Sequence, residues 1–193
     1  MKKSIVLFFA IVAAFIANAQ GVSNVSEVYF YGVDFSKGKI MTEEFDTTEY
    51  RKAFANINML FFTEREKYDV ARIIKRKVVD IRIDAVKEAN ASVSEDIVAY
   101  SINTQLPDEK VKASLAGLKI EEQSGTGLVL VMRLLDKSVV RGYYKAVFFD
   151  IATRNIIATY DVDGEAGGFG LRNFWASSML ESIKKLGKKM KKE

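Results

Sequence analysis

Three apolar runs of strand length, at residues 128–135, 143–149 and 156–162, stand close together in the second half of this chain, separated only by short turn segments. They are rich in β-branched and aromatic residues, which reads as three strands. Residues 128–135 carry almost no polar alternation, so that strand belongs inside a sheet rather than at its edge. The stretch from Asp150 to Asn155 has the aspartate, threonine and asparagine of a tight turn. After a glycine-rich segment, Leu171, Trp175, Met179, Ile183 and Leu186 recur at intervals of three or four, the stripe of one amphipathic helix. Strands with two apolar faces need helices to cover them, so the C-terminal half alone demands a layered α/β arrangement.

The N-terminal half supplies the remaining layers. Residues 28–35 read as a further interior strand. Asp46, Thr47 and Thr48 offer an N-cap for a helix whose stripe is Tyr50, Phe54, Ile57 and Phe61. A second helix is expected over residues 64–75, burying Val70, Ile73 and Ile74. Val79, Ile81 and Ile83 alternate with charged residues as in a half-buried strand. Residues 88–106 read mostly as connection, and Pro107 opens a helix striped by Val111, Leu115 and Leu118. With 193 residues and 49% apolar content, the expectation is one α/β domain with a mixed sheet of about four to five strands and helices packed on it. The globular domain is expected over residues 20–193, behind a signal peptide at 1–19.

That signal is read from Lys2 and Lys3, an apolar run over residues 5–17, and the small-x-small triplet Ala17-Asn18-Ala19. The run is too short to span a bilayer, which takes about 20 residues. Cleavage after Ala19 makes the chain exported, periplasmic or secreted, with no later transmembrane segment. No cysteine follows the run, so a lipoprotein anchor is not expected.

Cysteine and histidine are both absent. This removes disulfide frameworks, the common zinc sites, thiol nucleophiles and imidazole-relayed triads. No catalytic residue, metal or cofactor is assigned. The isoelectric point near 9.1 suggests nucleic acid, but six lysines (Lys184, Lys185, Lys188, Lys189, Lys191 and Lys192) crowd the last ten residues, and the rest of the mature chain is slightly acidic. The basicity is expected as a tail closing a helix at its negative pole rather than a phosphate-binding face, so no nucleic-acid partner is expected.

Residues 145–176, from Lys145-Ala-Val-Phe-Phe-Asp150 through the glycine segment to Phe174-Trp175-Ala176, together with Phe30-Tyr-Gly-Val-Asp-Phe35, resemble a family of small secreted proteins of unassigned activity common in Bacteroidetes. More distantly, the strand, Asp-x-x-Thr turn, strand and closing helix are similar to the periplasmic α/β domain of curli secretion-channel subunits, of lipoprotein activators of penicillin-binding proteins, and of the TolB N-terminal domain. The resemblance implies a binding or assembly module without catalysis, its partner an envelope protein or polymer. The chain departs from those lipoproteins in having no lipobox cysteine.

The foremost candidate site is the glycine segment that includes Gly164, with Gly167, Gly168, Phe169, Gly170 and Arg172 as its binding residues. Glycines let backbone amides approach a ligand, and a helix N-terminus favours an anion. Three uses are open: a strand-to-helix turn with Phe169 and Trp175 packed inside, a small-ligand or anion site completed by Arg172, or a protein-contact surface centred on Phe169 and Arg172. Neither the Walker spacing nor the dinucleotide fingerprint is present. Asp161-Val-Asp163-Gly-Glu165 lacks the glycine and glutamate spacing of a calcium loop. Asp34 and Asp150, each expected at a strand end, are the carboxylates that a hydrolase would have to use.

Overall fold

The first strand solves a parity problem. Val28 and Phe30 must share a face with Val33 and Phe35, although the pairs fall on even and odd positions and successive side chains alternate sides. In the computed structural model, which describes residues 22–100 and 105–192, strand β1 (Glu27–Asp34) takes up one extra residue against strand β4 (Thr126–Asp136): Phe30 opposes Leu128, yet Val33 opposes Leu130. Gly32 sits in this bulge at φ +76°, and a Cβ there would overlap the Asn58 amide oxygen. The bulge resets the alternation, so Val28, Phe30, Val33 and Phe35 all enter one core while Tyr31 enters the other.

The remaining elements are β2 (Lys39–Met41), α1 (Thr47–Thr63), α2 (Val70–Ile74), β3 (Lys77–Ile81), α3 (Lys87–Ala91), α4 (Asp108–Gly117), β5 (Arg141–Asp150), β6 (Ile156–Glu165) and α5 (Leu171–Met190). The sheet runs β3-β1-β4-β5-β6, with short β2 pairing the far end of β4. The neighbours β3, β1 and β4 are parallel, and the β4-β5-β6 meander is antiparallel, so the sheet is mixed. The fold class is as expected. The strand over residues 39–41 is the sixth, missed because three residues carry no readable alternation.

Helices α1, α2 and α5 cover one face and α4 the other, giving a core on each side. Phe30 meets Phe61 edge-on, and Phe35 stacks on Phe54 with centroids 4.1 Å apart. Asp46 caps α1 by accepting from the Glu49 amide at 2.8 Å. The second helix is shorter than expected: residues 64–69 form turns, and only Val70–Ile74 is helical, because Asp69 caps it by accepting from the Arg72 amide. β3 is the edge strand, leaving Val79 exposed, and Ile83 falls in a 3₁₀ turn rather than the strand. The connection over residues 88–106 contains α3 and another 3₁₀ turn. Asn90 of α3 is buried and works with Asn58 of α1. Asn90 accepts from the Phe35 amide and donates to the Val33 carbonyl; Asn58 accepts from the Val33 amide and donates to that same carbonyl. These two side chains supply the hydrogen bonds that β1 loses at its bulge and beyond the end of β3.

α5 lies in a saddle. Gly142 and Gly164 oppose each other on β5 and β6, and a Cβ at Gly164 would overlap the Ser178 carbonyl oxygen. At the other end of the helix, Gly187 admits the Ile73 carbonyl equally closely. Gly164 is therefore a strand residue that seats a helix, and it leaves the candidate glycine segment. The lysines close a helix, as expected, with Lys188 and Lys189 in the last turn of α5. Most of them lie within α5, where Lys185 donates to the Asp163 carboxylate at 2.8 Å and Lys189 to the Asp161 carbonyl at 2.8 Å, covering the outer edge of β6. Among the described residues no helix is long and apolar enough to cross a membrane. The export signal at 1–19 lies outside the described residues.

Candidate functional site

The segment between β6 and α5 turns sharply and is held at several points. The Ala166 amide donates to the Val140 carbonyl at 2.8 Å, the Gly167 amide to the Phe174 carbonyl at 3.1 Å, and the Phe174 amide to the Gly170 carbonyl at 3.0 Å. Asn173 donates to the Phe169 carbonyl, and Ser177 to that of Glu165. Gly168 and Gly170 adopt φ of +99° and +78°, a region that side chains with a Cβ rarely enter. Together these two kinks turn Phe169 outward, and its ring is 96% exposed. Of the three uses left open, the one with Phe169 packed inside does not hold, while Trp175, the other half of that pair, is fully buried. The physical reason is the spacing. α5 turns its stripe of Trp175, Met179 and Ile183 into the core, and Phe169 precedes the helix on the solvent side of a closed turn.

The β4–β5 turn next to this segment also exposes apolar side chains that the sequence did not bring to attention. The Ala166–Val140 hydrogen bond places the β4–β5 turn beside this loop, and that turn exposes Val139 and Val140. Val140 has φ +55°. A β-branched residue in the left-handed region is a genuine outlier, held there at a cost of about 1–2 kcal/mol. The turn is fixed by Asp136, whose carboxylate accepts from the Ser138 amide at 2.9 Å and hydroxyl at 2.6 Å. The only hint in the sequence was two valines where Gly or Asn would be ordinary.

The strands leading to this end of the sheet carry charge in a fixed pattern. Asp163 of β6 is hydrogen-bonded by Arg141 and by Lys185. Asp161 is paired with Arg133 at 2.9 Å and Lys145 at 2.8 Å. Partial burial pulls both carboxyls upward, but the cations outweigh it and hold both below the usual carboxylate range. With their charge satisfied by side-chain cations, Asp161 and Asp163 are strand residues rather than calcium ligands. Among the described residues, no group of three or more acidic, histidine or cysteine side chains could hold a metal ion.

Arg172 is exposed in the first turn of α5, and its Nε donates to the Asn173 side chain at 3.0 Å. The Gly167 amide, one of those an anion cradle would need, is already occupied by the Phe174 carbonyl. The hydrolase pair is not brought together. Asp34 opposes Val131 and Asp150 opposes Thr126, so five residues of β4, roughly 17 Å, lie between them. Paired glycosidase acids stand about 5–9.5 Å apart. Both aspartates instead close turns: Asp34 accepts from the Ser36 amide and hydroxyl, and Asp150 from those of Thr153.

Fold and site thus define a three-layer α/β domain with an outward-turned aromatic loop at one end of its sheet. No protein-family model matches the chain, and no curated protein matches it.

Proposed function

We propose that the protein is an exported, non-enzymatic module that acts by contacting another envelope protein or an envelope polymer through the loop of Gly167, Gly168, Phe169, Gly170 and Arg172. The observation that carries this reading is the 96% exposure of Phe169 on a loop tied down at both ends. A rigid, exposed aromatic loses little conformational freedom on binding, and covering a phenylalanine contributes about 1.5–3 kcal/mol. Val139 and Val140 on the adjoining β4–β5 turn and Arg172 in the first turn of α5 are exposed as well, side-chain types that serve in interfaces. The strain at Val140 has no counterpart in the packing of either core, which favours a role in contact.

The test is in-cell photo-crosslinking with a photoreactive residue at position 169, and a second label at Lys188 on the far end of α5 as control. The expected result is one envelope component captured from position 169 and absent from Lys188, with capture abolished by Arg172→Glu in the labelled protein. Correctly exported, folded protein that captures nothing from position 169 would overturn the reading.

A further inference from the structure

A second site lies at the opposite end of β4 from the Asp150 turn, beyond the carboxyl end of β1. There a crevice of about 230 Å³ opens between the β1–β2 loop, the segment after α3 and the first turn of α4. The topology explains why it exists. From β1 the chain crosses to β3 by way of α1 and α2 on one face, and from β3 it returns to β4 by way of α4 on the other. Adjacent parallel strands whose connections leave toward opposite faces cannot close the space beyond their carboxyl ends, the place where open α/β sheets hold ligands.

The lining is cationic. Lys37 and Lys39 come from the β1–β2 loop and the start of β2 and Lys110 from α4, whereas the hydroxyls of Ser36, Ser92 and Ser94 donate within the protein, to the Asp34 carboxylate, the Ala89 carbonyl and the Asp96 carboxylate. The loop bearing two of the lysines is rigid. The Asp34 carboxylate, 1% exposed, accepts from the Ser36 amide at 2.8 Å, the Ser36 hydroxyl at 2.6 Å and the Ser114 hydroxyl at 2.5 Å. Gly38 sits so close to β4 that a Cβ would overlap the Met132 and Arg133 carbonyl oxygens. Lys39 is held by the Asp96 carbonyl. Against three lysines the crevice sets one carboxylate, Asp96, which is hydrogen-bonded by Ser94. That bond, with Lys39 and Lys110 nearby, keeps the Asp96 carboxyl below its ordinary range.

We infer that this crevice binds a phosphoryl group, whose charge of about −1.5 to −2 at neutral pH matches the cationic excess of its lysines and whose oxygens can accept from their ammonium groups. Its volume suits a free phosphate ion or the phosphate monoester headgroup of a small molecule. Asp96 acts as the resident competitor, so its removal strengthens binding where removal of a lysine weakens it.

The experiment is a titration of the protein with inorganic phosphate at constant ionic strength, followed by backbone amide chemical shifts, with glycerol phosphate as a parallel arm. The expected result is a saturable shift centred on Lys37, Gly38 and Lys39. Lys110→Gln should weaken it about tenfold and Asp96→Asn should tighten it. Stronger binding of glycerol phosphate identifies an esterified headgroup as the ligand; equal binding identifies the free ion. Shifts that do not saturate, that are unchanged in Lys110→Gln, or that centre instead on Phe169 to Asn173 would overturn the inference. The last outcome would return anion binding to the glycine loop. Both substitutions fall on exposed side chains, so folding is not at stake.

Discussion

Single residues in this protein are constrained by backbone conformation as often as by side-chain chemistry. Val140 and Gly164 form an instructive pair, because each departs from what its position would ordinarily take. Val140 holds φ +55° without a glycine's freedom, and Gly164 has the freedom but is needed only for its missing Cβ. Exchanging their character should move stability in opposite directions. Val140→Gly is expected to raise unfolding free energy by up to about 1 kcal/mol by relieving left-handed strain. Gly164→Ala is expected to lower it by roughly 1–3 kcal/mol or more, because α5 must lift off β6. Urea titration of both variants measures the two signs, and a stabilised Val140→Gly that no longer reaches its crosslinking partner would tie the strain to contact. Of the recurrent Asp-x-Ser and Asp-x-x-Thr turns at Asp34, Asp136 and Asp150, the one at Asp150 was legible in the sequence as turn chemistry. The outward turn of Phe169 was not, since the same string of glycines permits either direction.

Among the elements, α5 depends most on charge that no linear pattern reveals. Its lysines lie on the edge strand β6, where Lys189 occupies the Asp161 carbonyl and Lys185 the Asp163 carboxylate. A lysine on an edge strand's backbone blunts that edge against pairing with another chain. Because the folded-state pKa values of Asp161 and Asp163 are depressed, their contribution is fully present above the unfolded carboxyl value of about 3.9 and is lost as pH falls through the folded values. Both carboxylates are partly solvated, so the network contributes on the order of 1 kcal/mol. The double variant Asp161→Asn/Asp163→Asn should be less stable than the parent at neutral pH and match it in strong acid. A stability difference that persists undiminished in acid would contradict this assignment. Helix α5 itself was readable from its stripe, as were α1 and α4, because each buries one face. α3 and β2 were not, being too short for a period to emerge.

At the scale of the whole molecule, one sheet serves two cores, and its strands transmit any loss on one face to the other. Trp175, the single tryptophan, reports on the face covered by α1, α2 and α5, whereas Leu115 of α4 lies in the opposite core. Leu115→Ala should lower stability by about 2–5 kcal/mol through the cavity it leaves. The Trp175 fluorescence transition and the far-ultraviolet circular dichroism transition should shift together, as for one cooperative domain. A Trp175 transition that stays in place would mean that the two cores melt separately.

The sequence by itself determined the α/β class, the strands and helices long enough to show a period, the capping and turn aspartates, and the chemistries that a chain without histidine or cysteine does without. These are local properties, set by the periodicity of burial and by hydrogen bonds between residues a few positions apart. Only the tertiary structure decided that Asp34 and Asp150 stand five residues apart along β4, that the turn bearing Val139 and Val140 is hydrogen-bonded to the segment leading to Phe169, and that Lys37, Lys39 and Lys110 line one crevice beyond β1. Each of those placements depends on strand order and register, which bring together residues distant in the chain and which no pattern within a single strand or helix encodes.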